Sequence, residues 1–490
     1  MANDRRIKSA VDLISNLPDV ILQHILCSIP IELAITTSLL SRRWRHVWRE
    51  IPSLSFNADT LTAASVNETL TRYTAPNTKS FHLTITPYPE NIPYIDRLIK
   101  FAVSHNVENL SLNFSSHYYV KLPDFFCNSS SVKQLNIDIG FSHMIVPEYC
   151  TVSWTSLQKL SLSCCGLSDE SMASILSGCP VLENLTLHNC VELKVLDLSK
   201  SLRLRTLDVK CTMTDWGSRQ IVAPHIHCLR LLSSQPSSPT LVNVDSLTEA
   251  KLEILFSVNR YFTFKADFFQ TMVLKMLEKL QNAEKLTFGG NFIQILSLAE
   301  IRGVPFPMLK VKALALHTKI SHYVIPGMER LLQNSPDLEK LTVRARNFNT
   351  LLVYSIILFF LYSIIHHQPL FLATIELKYI QQLILYIFSI VQEKHLDKYM
   401  EIKGFNLNTC WRSKDGASWN KCGVYAKSKH VTSLVELILK NTKKLDKVVV
   451  LLDELYLKFK IKDVVVPSLP GYKNVNVVLS TTKLMALEKW

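Results

Sequence analysis

The sequence predicts an α/β protein in three parts: a small helical module, a repeat domain of parallel strands, and an α+β module near the C-terminus. Three observations support this prediction. Apolar residues at helical spacing crowd the first segment, a leucine pattern recurs through the middle, and helix and strand patterns alternate at the end. Of the 490 residues, 48% are hydrophobic, which is ample material for sizeable cores.

The first segment carries the signals of three short helices. Pro18 suits the first turn of a helix, and Pro30 ends that helix. Large apolar side chains follow at helical spacing, and they are Ile21, Leu22, Ile25, Leu26, Ile29, Trp44, Val47 and Trp48. So small a module cannot bury all of them by itself. Either they form a surface for a partner protein or they cap the domain that follows, and the residues alone leave both open.

The same segment resembles the F-box motif. L-P-D-V-I-L-Q-H-I-L-C-S-I-P, followed by S-L-L-S-R-R-W-R-H-V-W, has that family's order and spacing over about residues 12–56. The resemblance implies a three-helix module that docks on a Skp-type adaptor, which bridges to cullin. It also implies an adaptor contact formed by Leu17, Pro18, Ile21, Leu22, Ile25, Leu26, Ile29, Pro30, Leu40, Trp44 and Trp48.

A leucine pattern, apolar-x-x-L-x-[LIV], recurs through residues 76–346. Val107-Glu-Asn-Leu110-Ser-Leu112 is a clear copy, and further copies centre on Leu135, Leu160, Leu185, Leu207, Leu286, Leu314 and Leu341. Weaker copies centre on Leu83, Leu229 and Leu252. Most spacings fall within the roughly 20–29 residues of leucine-rich repeats. The pattern predicts a solenoid in which short strands stack into a horseshoe-shaped parallel sheet and the leucines line its core.

The residues between the repeat leucines are predicted to face outward along the concave side of the sheet. Solenoids usually bind proteins there, although the face could also be scaffold alone. The target-binding residues are therefore predicted to be Ser111, Asn136, Ser161, Thr186, Asp208, Thr287 and Thr342, and Ala315 is a further outward-facing position. Cys165 and Cys190 each lie five residues after a repeat leucine, where such repeats satisfy a turn. We interpret these cysteines as structural rather than redox-active.

The repeat pattern stops after Arg346. The run from Leu351 to Ile365 has no charged residue. Residues 347–391 are more apolar and carry fewer charges than the chain on either side. Three interpretations stay open: a membrane span, a buried helical hairpin, or read-through of non-coding sequence in the gene model.

From about Gln392 a globular pattern resumes. A W-R-S turn, an S-L-V-E-L-I-L-K-N helix and a K-L-D-K-V-V-V strand resemble the FBD domain of plant F-box proteins. The resemblance implies an α+β module over residues 392–482. In that family the module follows an F-box and leucine-rich repeats, as it does here.

Together these features predict the substrate-recognition subunit of an SCF-type (Skp–cullin–F-box) ubiquitin ligase. Such a subunit is not itself an enzyme: it raises the effective concentration of target lysines near the charged ubiquitin carrier. No nucleophile motif, paired carboxylates or Gly-rich phosphate loop stands out, so we expect no catalytic residues and no cofactor. The alternative is a ligase-independent leucine-rich-repeat module that binds proteins, tethered to a membrane through residues 351–391.

Charge and cysteine content narrow the remaining possibilities. Of the net charge of +13, +8 lies between Gln392 and Trp490, where the lysines are scattered among apolar residues and form no basic run, so nucleic acid is not an expected partner. There are eleven cysteines and no C-x-x-C spacing, which argues against a metal site and favours free thiols in a reducing compartment. No secretory signal is evident, so we expect the cytoplasm, the nucleus or both.

Overall fold

The structure is a computed structural model in which the chain forms two units, Met1–Val191 and Glu192–Trp490. The described residues are 17–58, 61–114, 122–139, 151–190, 192–211, 220–233, 239–254, 266–318, 324–345, 428–453 and 475–482, with Ile14, Ile320, Ile461 and Val464. The apolar stretch 347–391 and the W-R-S turn lie outside these ranges. No helix in the described ranges combines the length and apolar character that crossing a bilayer requires.

The first unit opens with the predicted short helices. They are α1 (Asp19–Leu26), α2 (Ile31–Thr36) and α3 (Trp44–Val47), with 3₁₀ turns at Thr37–Leu39 and Trp48–Glu50. Pro18 and Pro30 stand immediately before α1 and α2 in extended conformation. Proline is favourable there because a helix start leaves backbone N–H groups without intrahelical acceptors in any case.

A parallel sheet fills the rest of the first unit. Its strands, in both chain and spatial order, are β1 (Ser53–Asn57), β2 (Ser80–Ile85), β3 (Asn109–Phe114), β4 (Gln134–Asp138), β5 (Lys159–Ser163) and β6 (Asn184–His188). The helices that accompany them are α4 (Ala63–Thr71), α5 (Ile92–Ser104) and α6 (Asp169–Ser177), with a 3₁₀ turn at Asp124–Cys127. Equivalent leucines of successive repeats pair in register and are buried, as the solenoid prediction requires.

The second unit repeats this architecture. A short sheet holds β7 (Val195–Asp197), β9 (Gln220–Val222) and β11 (Thr240–Asn243). The main sheet holds β8 (Thr206–Cys211), β10 (Cys228–Ser233), β12 (Glu249–Ile254), β13 (Lys285–Gly290), β14 (Ala313–Thr318), β15 (Lys340–Ala345), β16 (Lys447–Asp453) and β17 (Asn476–Thr482). The helices are α7 (Ala266–Lys279), α8 (Phe292–Ile301), α9 (Ile325–Gln333) and α10 (Ser428–Lys440).

Strand register corrects two of the predicted repeat centres. Phe81 pairs with Leu110, and Ala250 pairs with Leu229, so these residues occupy the first leucine position of their repeats. The predicted centres Leu83 and Leu252 lie one inward-facing position further along the strand. The pattern misplaced both centres because Phe81 and Ala250 replace leucine at the first position. The next leucine of each strand therefore matched the pattern instead.

Two further repeats were missed by the sequence pattern. Ile51, Leu54 and Phe56 have the repeat spacing, and β1 pairs in register with β2. Leu445, Val448 and Val450 have it as well, and β16 pairs with β15 in parallel through Lys447 and Lys340. The strands expected in the α+β module therefore extend the repeat sheet of the second unit.

Candidate protein-binding surfaces

The interior of the N-terminal helical module is filled by four of the predicted contact residues. Leu22 and Leu26 are buried on α1, and Trp44 and Trp48 are buried on α3 and the turn after it. These side chains pack the helices together and do not reach the surface. Because Trp44 and Trp48 are buried in this interior, they are not part of the apolar surplus that the sequence suggested.

A second set of apolar side chains on this module stays exposed. Ile21 and Ile25, one turn apart on α1, are each 44% exposed, and Leu40 is 69% exposed. Pro18 and Pro30 are exposed, while Leu17 and Ile29 are partly exposed. The sequence prediction missed four more exposed apolar residues of the module, Ile14, Val20, Leu33 and Leu39. Two of them, Val20 and Leu39, stand directly beside the predicted contact residues Ile21 and Leu40, and that adjacency was the available signal.

Arg43 joins the two ends of the module. Its Nε donates to Asp19 Oδ1 at 2.7 Å, and its Nη2 donates to the carbonyl of Leu17. The Arg43–Asp19 ion pair is largely solvent-exposed, so its contribution to stability is small. Its effect is geometric, because it fixes the start of α1 against the residues just before α3.

The helical module continues into the first sheet strand without a flexible linker. Thr74 N donates to the Arg49 carbonyl at 3.0 Å, which ties the segment after α4 to the end of the module. The buried Tyr73 hydroxyl donates to the Ile51 carbonyl at 2.7 Å and accepts from Thr78 Oγ1 at 3.0 Å. The helical module and the first repeat are therefore joined by a backbone hydrogen bond and a continuous chain, and the buried bonds of Tyr73 fix the first residue after the junction.

The open face of each sheet carries the first, third and fifth residues of its strands. The structure places every predicted target-contact residue at a third position, where Asn136 is exposed and the others are partly exposed. In the first unit the row runs through Ser55, His82, Ser111, Asn136, Ser161 and Thr186. Asn136 Nδ2 donates to Ser111 Oγ at 3.2 Å, so part of this row is hydrogen-bonded within the protein.

The same row in the second unit is strongly charged at one end. Asp208, Arg230 and Lys251 lie side by side on β8, β10 and β12, and they are followed by Thr287, Ala315 and Thr342. Desolvation raises the pKa of the Asp208 carboxyl, and the positive charges of Lys210, Arg230 and Lys251 act in the opposite direction. Arg230 and Lys251 were missed as candidates because their repeats have weak leucine patterns.

Cys165 and Cys190 occupy equivalent buried positions just after β5 and β6. The Cys165 thiol lies 3.2 Å from the Ser163 carbonyl, and the Cys190 thiol lies 3.5 Å from the Leu162 carbonyl. A hydrogen bond with the Cys190 thiol, together with burial, raises the pKa of Cys165 well above its usual range. A thiol held in this protonated state is a weak nucleophile and suits the turn-satisfying role predicted for it.

Fold and surfaces together define a leucine-rich-repeat protein with an N-terminal three-helix module that leaves an apolar surface open. Comparison with known proteins specifies the family. The F-box domain profile matches residues 14–56, and the profile described as "FBD-associated F-box protein At5g56370, LRR repeats" matches residues 95–343. The chain belongs to the plant F-box/LRR-repeat family of FBD-associated proteins.

Similar full-length relatives come from Arabidopsis thaliana. "Putative F-box/LRR-repeat protein At3g18150" is 51% identical over 98% of this chain and 94% of the relative. "F-box/LRR-repeat protein At3g03360" is 44% identical over 98% of this chain and 93% of the relative. "F-box/LRR-repeat protein At5g02910" is 45% identical over 90% and 88% of the two chains. The F-box and leucine-rich-repeat domains support a general role as a substrate adaptor, which is the role typical of F-box proteins.

Proposed function

We propose that this chain is the substrate-recognition subunit of an SCF-type ubiquitin ligase. The N-terminal module binds a Skp-type adaptor and through it cullin, and the open faces of the repeat sheets bind the protein to be ubiquitinated. The chain then acts by holding a target near the charged ubiquitin carrier, and it needs no catalytic residue of its own.

The observation that carries this proposal is the exposed apolar surface of the helical module. The module already has a filled interior, since Leu22, Leu26, Trp44 and Trp48 are buried. Ile21, Ile25 and Leu40 are therefore surplus to its own folding and remain in contact with water. Several exposed apolar side chains on so small a module are typical of a protein-binding surface.

The proposed adaptor contact is accordingly a subset of the residues implied by the F-box motif. The surface-accessible members are Leu17, Pro18, Ile21, Ile25, Ile29, Pro30 and Leu40. Leu22, Leu26, Trp44 and Trp48 are left out of the contact because they are buried, and they act by shaping the module. Leu39, which is 83% exposed beside Leu40, is added to it.

The rigid junction supports the proximity mechanism. A ligase subunit that works by placement must transmit the position of its adaptor-binding end to its target-binding end. Here the last turn of the helical module leads directly into β1, the Arg49 carbonyl at its end accepts from Thr74 N, and Tyr73 holds Ile51, the first residue of the first repeat, through a buried hydrogen bond. A target bound on the first sheet is thereby held in a fixed position relative to the helical module.

A triple variant tests the proposal: Ile21→Ser, Ile25→Ser and Leu40→Ser. Full burial of an aliphatic side chain is worth about 1.5–3 kcal/mol, so covering the exposed fractions of these three contributes about 2.4–4.7 kcal/mol. Because 1.4 kcal/mol is a factor of ten, we expect adaptor affinity to fall about 50- to 2,000-fold by calorimetric titration. Leu17→Ala with Pro18→Ala should likewise abolish co-purification with the adaptor.

The matched control is Ile92→Ser, which alters an apolar residue of the same unit that is 50% exposed but lies on α5, away from the helical module. It should leave adaptor affinity unchanged. Circular dichroism should show that all these variants stay folded. If the triple variant binds the adaptor as tightly as the wild type does, the exposed apolar surface is not the contact and the proposal fails.

A further inference from the structure

The open face of the second unit changes character at the last two strands of its main sheet. At the first, third and fifth positions of the earlier main-sheet strands, β8 to β15, Leu232 is the only aliphatic side chain larger than alanine. The same positions of β1 to β6 in the first unit hold none. On β16 and β17, by contrast, half of these positions are aliphatic, and they form a C-terminal patch of Val449, Leu451 and Val478.

The three side chains of the C-terminal patch adjoin one another. Val449 pairs in register with Val478, and Leu451 lies two residues further along β16 on the same face. Neighbouring strands are about 4.8 Å apart and residues two apart on a strand about 6.6 Å, so the patch has no gap. All three side chains are partly exposed, whereas the inward-facing Val448 and Val450 are fully buried. The core beneath β16 is therefore complete without the C-terminal patch.

The sequence of β16 shows the same surplus. It reads K-V-V-V-L-L-D, without the alternation of apolar and polar residues that a strand with one open face has. In parallel sheets, continuous apolar runs are typical of strands that are covered on both faces. The core covers one face of β16, and the other face is partly open to water. The C-terminal patch is thus suited to being covered by another molecule.

Two lysines border the C-terminal patch at one end. Lys447 lies two residues before Val449, and Lys340 on β15 pairs with Lys447 in register. Both lysines are exposed, and neither forms an ion pair within the described ranges, although Glu339 and Asp446 directly precede them. No carboxylate occupies the first, third or fifth position of β14 to β17. Because like charges opposite each other destabilise a sheet, a carboxylate bound between the two lysines would be stabilising.

We propose that the C-terminal patch binds a segment of the target protein in which aliphatic or aromatic side chains stand next to Asp or Glu. The apolar side chains of the segment pack on the patch, and its carboxylate lies between Lys340 and Lys447. The inference rests on the proposed substrate-recognition function and assigns target contact to the strands of the C-terminal module. A second copy of this chain fits less well, because its own patch would bring two more lysines to the same place.

This site narrows the predicted target contact. Thr342 alone among the predicted target-contact residues adjoins the C-terminal patch, because it pairs in register with Val449. The polar row of the first unit then serves as scaffold, which is one of the two interpretations that the sequence left open.

The test begins with a phage library of random peptides, selected on the full wild-type chain. Phage that bind the triple variant Val449→Ser, Leu451→Ser and Val478→Ser are removed first, which discards peptides held by the helical module. The selected peptides should carry aliphatic or aromatic residues next to Asp or Glu. A selection that yields no such patch-dependent peptide, or only peptides without carboxylates, would overturn the proposal.

Fluorescence anisotropy then measures a selected peptide labelled with fluorescein. The triple serine variant should bind it at least about tenfold more weakly, because it no longer offers apolar surface to cover. Val449→Thr with Val478→Thr keeps the side-chain shape and the strand preference, and it should weaken binding in the same direction with less risk to folding. Lys340→Gln with Lys447→Gln should weaken binding about 2- to 30-fold, and rising salt should weaken wild-type binding.

Each kind of variant has a matched control in the same unit. Val242→Ser with Met308→Ser alters apolar residues that are 41% and 57% exposed but lie outside the C-terminal patch. Lys275→Gln with Lys279→Gln removes two exposed lysines from α7. Both controls should keep wild-type peptide affinity. Equal losses in a variant and its control would reduce the effect to general hydrophobicity or net charge, and the proposal would fail.

Two other ligand classes are tested on the same proteins. Patch-dependent binding of phosphatidylserine vesicles or of an RNA oligonucleotide, in preference to the selected peptide, would also overturn the proposal. Adaptor affinity separates this proposal from the ligase function. A wild-type chain that binds the adaptor but yields no patch-dependent peptide refutes only the C-terminal patch. One that yields such peptides but binds no adaptor refutes only the ligase function.

Discussion

Tyr73→Phe is the most direct test of the rigid junction between the helical module and the first repeat. The substitution keeps the buried ring and removes only the hydroxyl, which bridges the Ile51 carbonyl and the Thr78 hydroxyl. A buried polar group that loses its partner costs about 1–3 kcal/mol, so we expect the junction to lose about 2 kcal/mol. Local opening should then become about 30-fold more frequent, since 1.4 kcal/mol is a factor of ten.

Hydrogen exchange measured by mass spectrometry resolves this effect by position. Peptides covering residues 48–57 and 73–82 should exchange about 30-fold faster in the variant, whereas peptides from β5 and β6 should not change. Tyr94→Phe serves as the control, because Tyr94 is partly exposed on α5 and its ring contacts Arg97. Unchanged exchange at the junction, or the same acceleration in both variants, would show that the Tyr73 hydroxyl does not lock it.

The same residue gives a pH dependence with a definite sign. Burial raises the pKa of the Tyr73 phenol above its usual value near 10. The neutral phenol therefore contributes stability that is fully present below about pH 10 and is lost as pH rises through the raised pKa. Tyr73→Phe has no such group, so the alkaline loss of junction protection should be smaller in the variant than in the wild type.

Two further predictions concern close packing and a buried thiol. Gly178→Ala should destabilise the first unit by about 2–4 kcal/mol, because an added Cβ would lie 2.2 Å from the Val152 carbonyl oxygen and force the backbone apart. Gly303→Ala, at φ +67° with open space around it, should cost only about 1 kcal/mol in urea denaturation; equal costs would contradict the steric account. Burial raises the pKa of Cys179 to about 12, so stability from its neutral thiol is full below pH 9 and is lost as pH rises through 12. Iodoacetamide at pH 8.5 should therefore spare Cys179 in the folded chain and modify it in urea, and rapid labelling of the folded protein would refute this.

The repeat domain was predictable because its signal is redundant. Each copy needs apolar residues at the same few positions, so a solenoid can be recognised even when single copies are weak. The prediction was wrong in detail at Phe81 and Ala250, where the sheet accepts a large or small residue in place of leucine. At Thr78 the repeat tolerates a polar residue because its hydroxyl donates to Tyr73, a contact that no local pattern reveals.

The helical module was less predictable from its sequence. Helical spacing identified both the interior and the exposed apolar residues, but it could not separate Leu22 from Ile21 or Leu26 from Ile25, since neighbours on a short helix straddle the boundary between its faces. That division depends on how α1 and α3 cross, which is a tertiary property. The charged row of Asp208, Arg230 and Lys251 was hidden for a related reason, because outward positions become comparable only once the strands are aligned in register.

The C-terminal strands show that the predicted boundary between the repeat domain and the C-terminal module does not separate two sheets. Leu445, Val448 and Val450 have repeat spacing, and β16 pairs with β15 in the same register as β15 pairs with β14. About 100 residues separate β15 from β16, against about 20 between β14 and β15. Closing the longer connection costs at most about 1.5 kcal/mol more, because loop entropy grows only with the logarithm of length. The repeat sheet can therefore accommodate a long connection between two of its strands. The buried apolar residues of α10 and β16 supply packing that stabilises the pairing of β16.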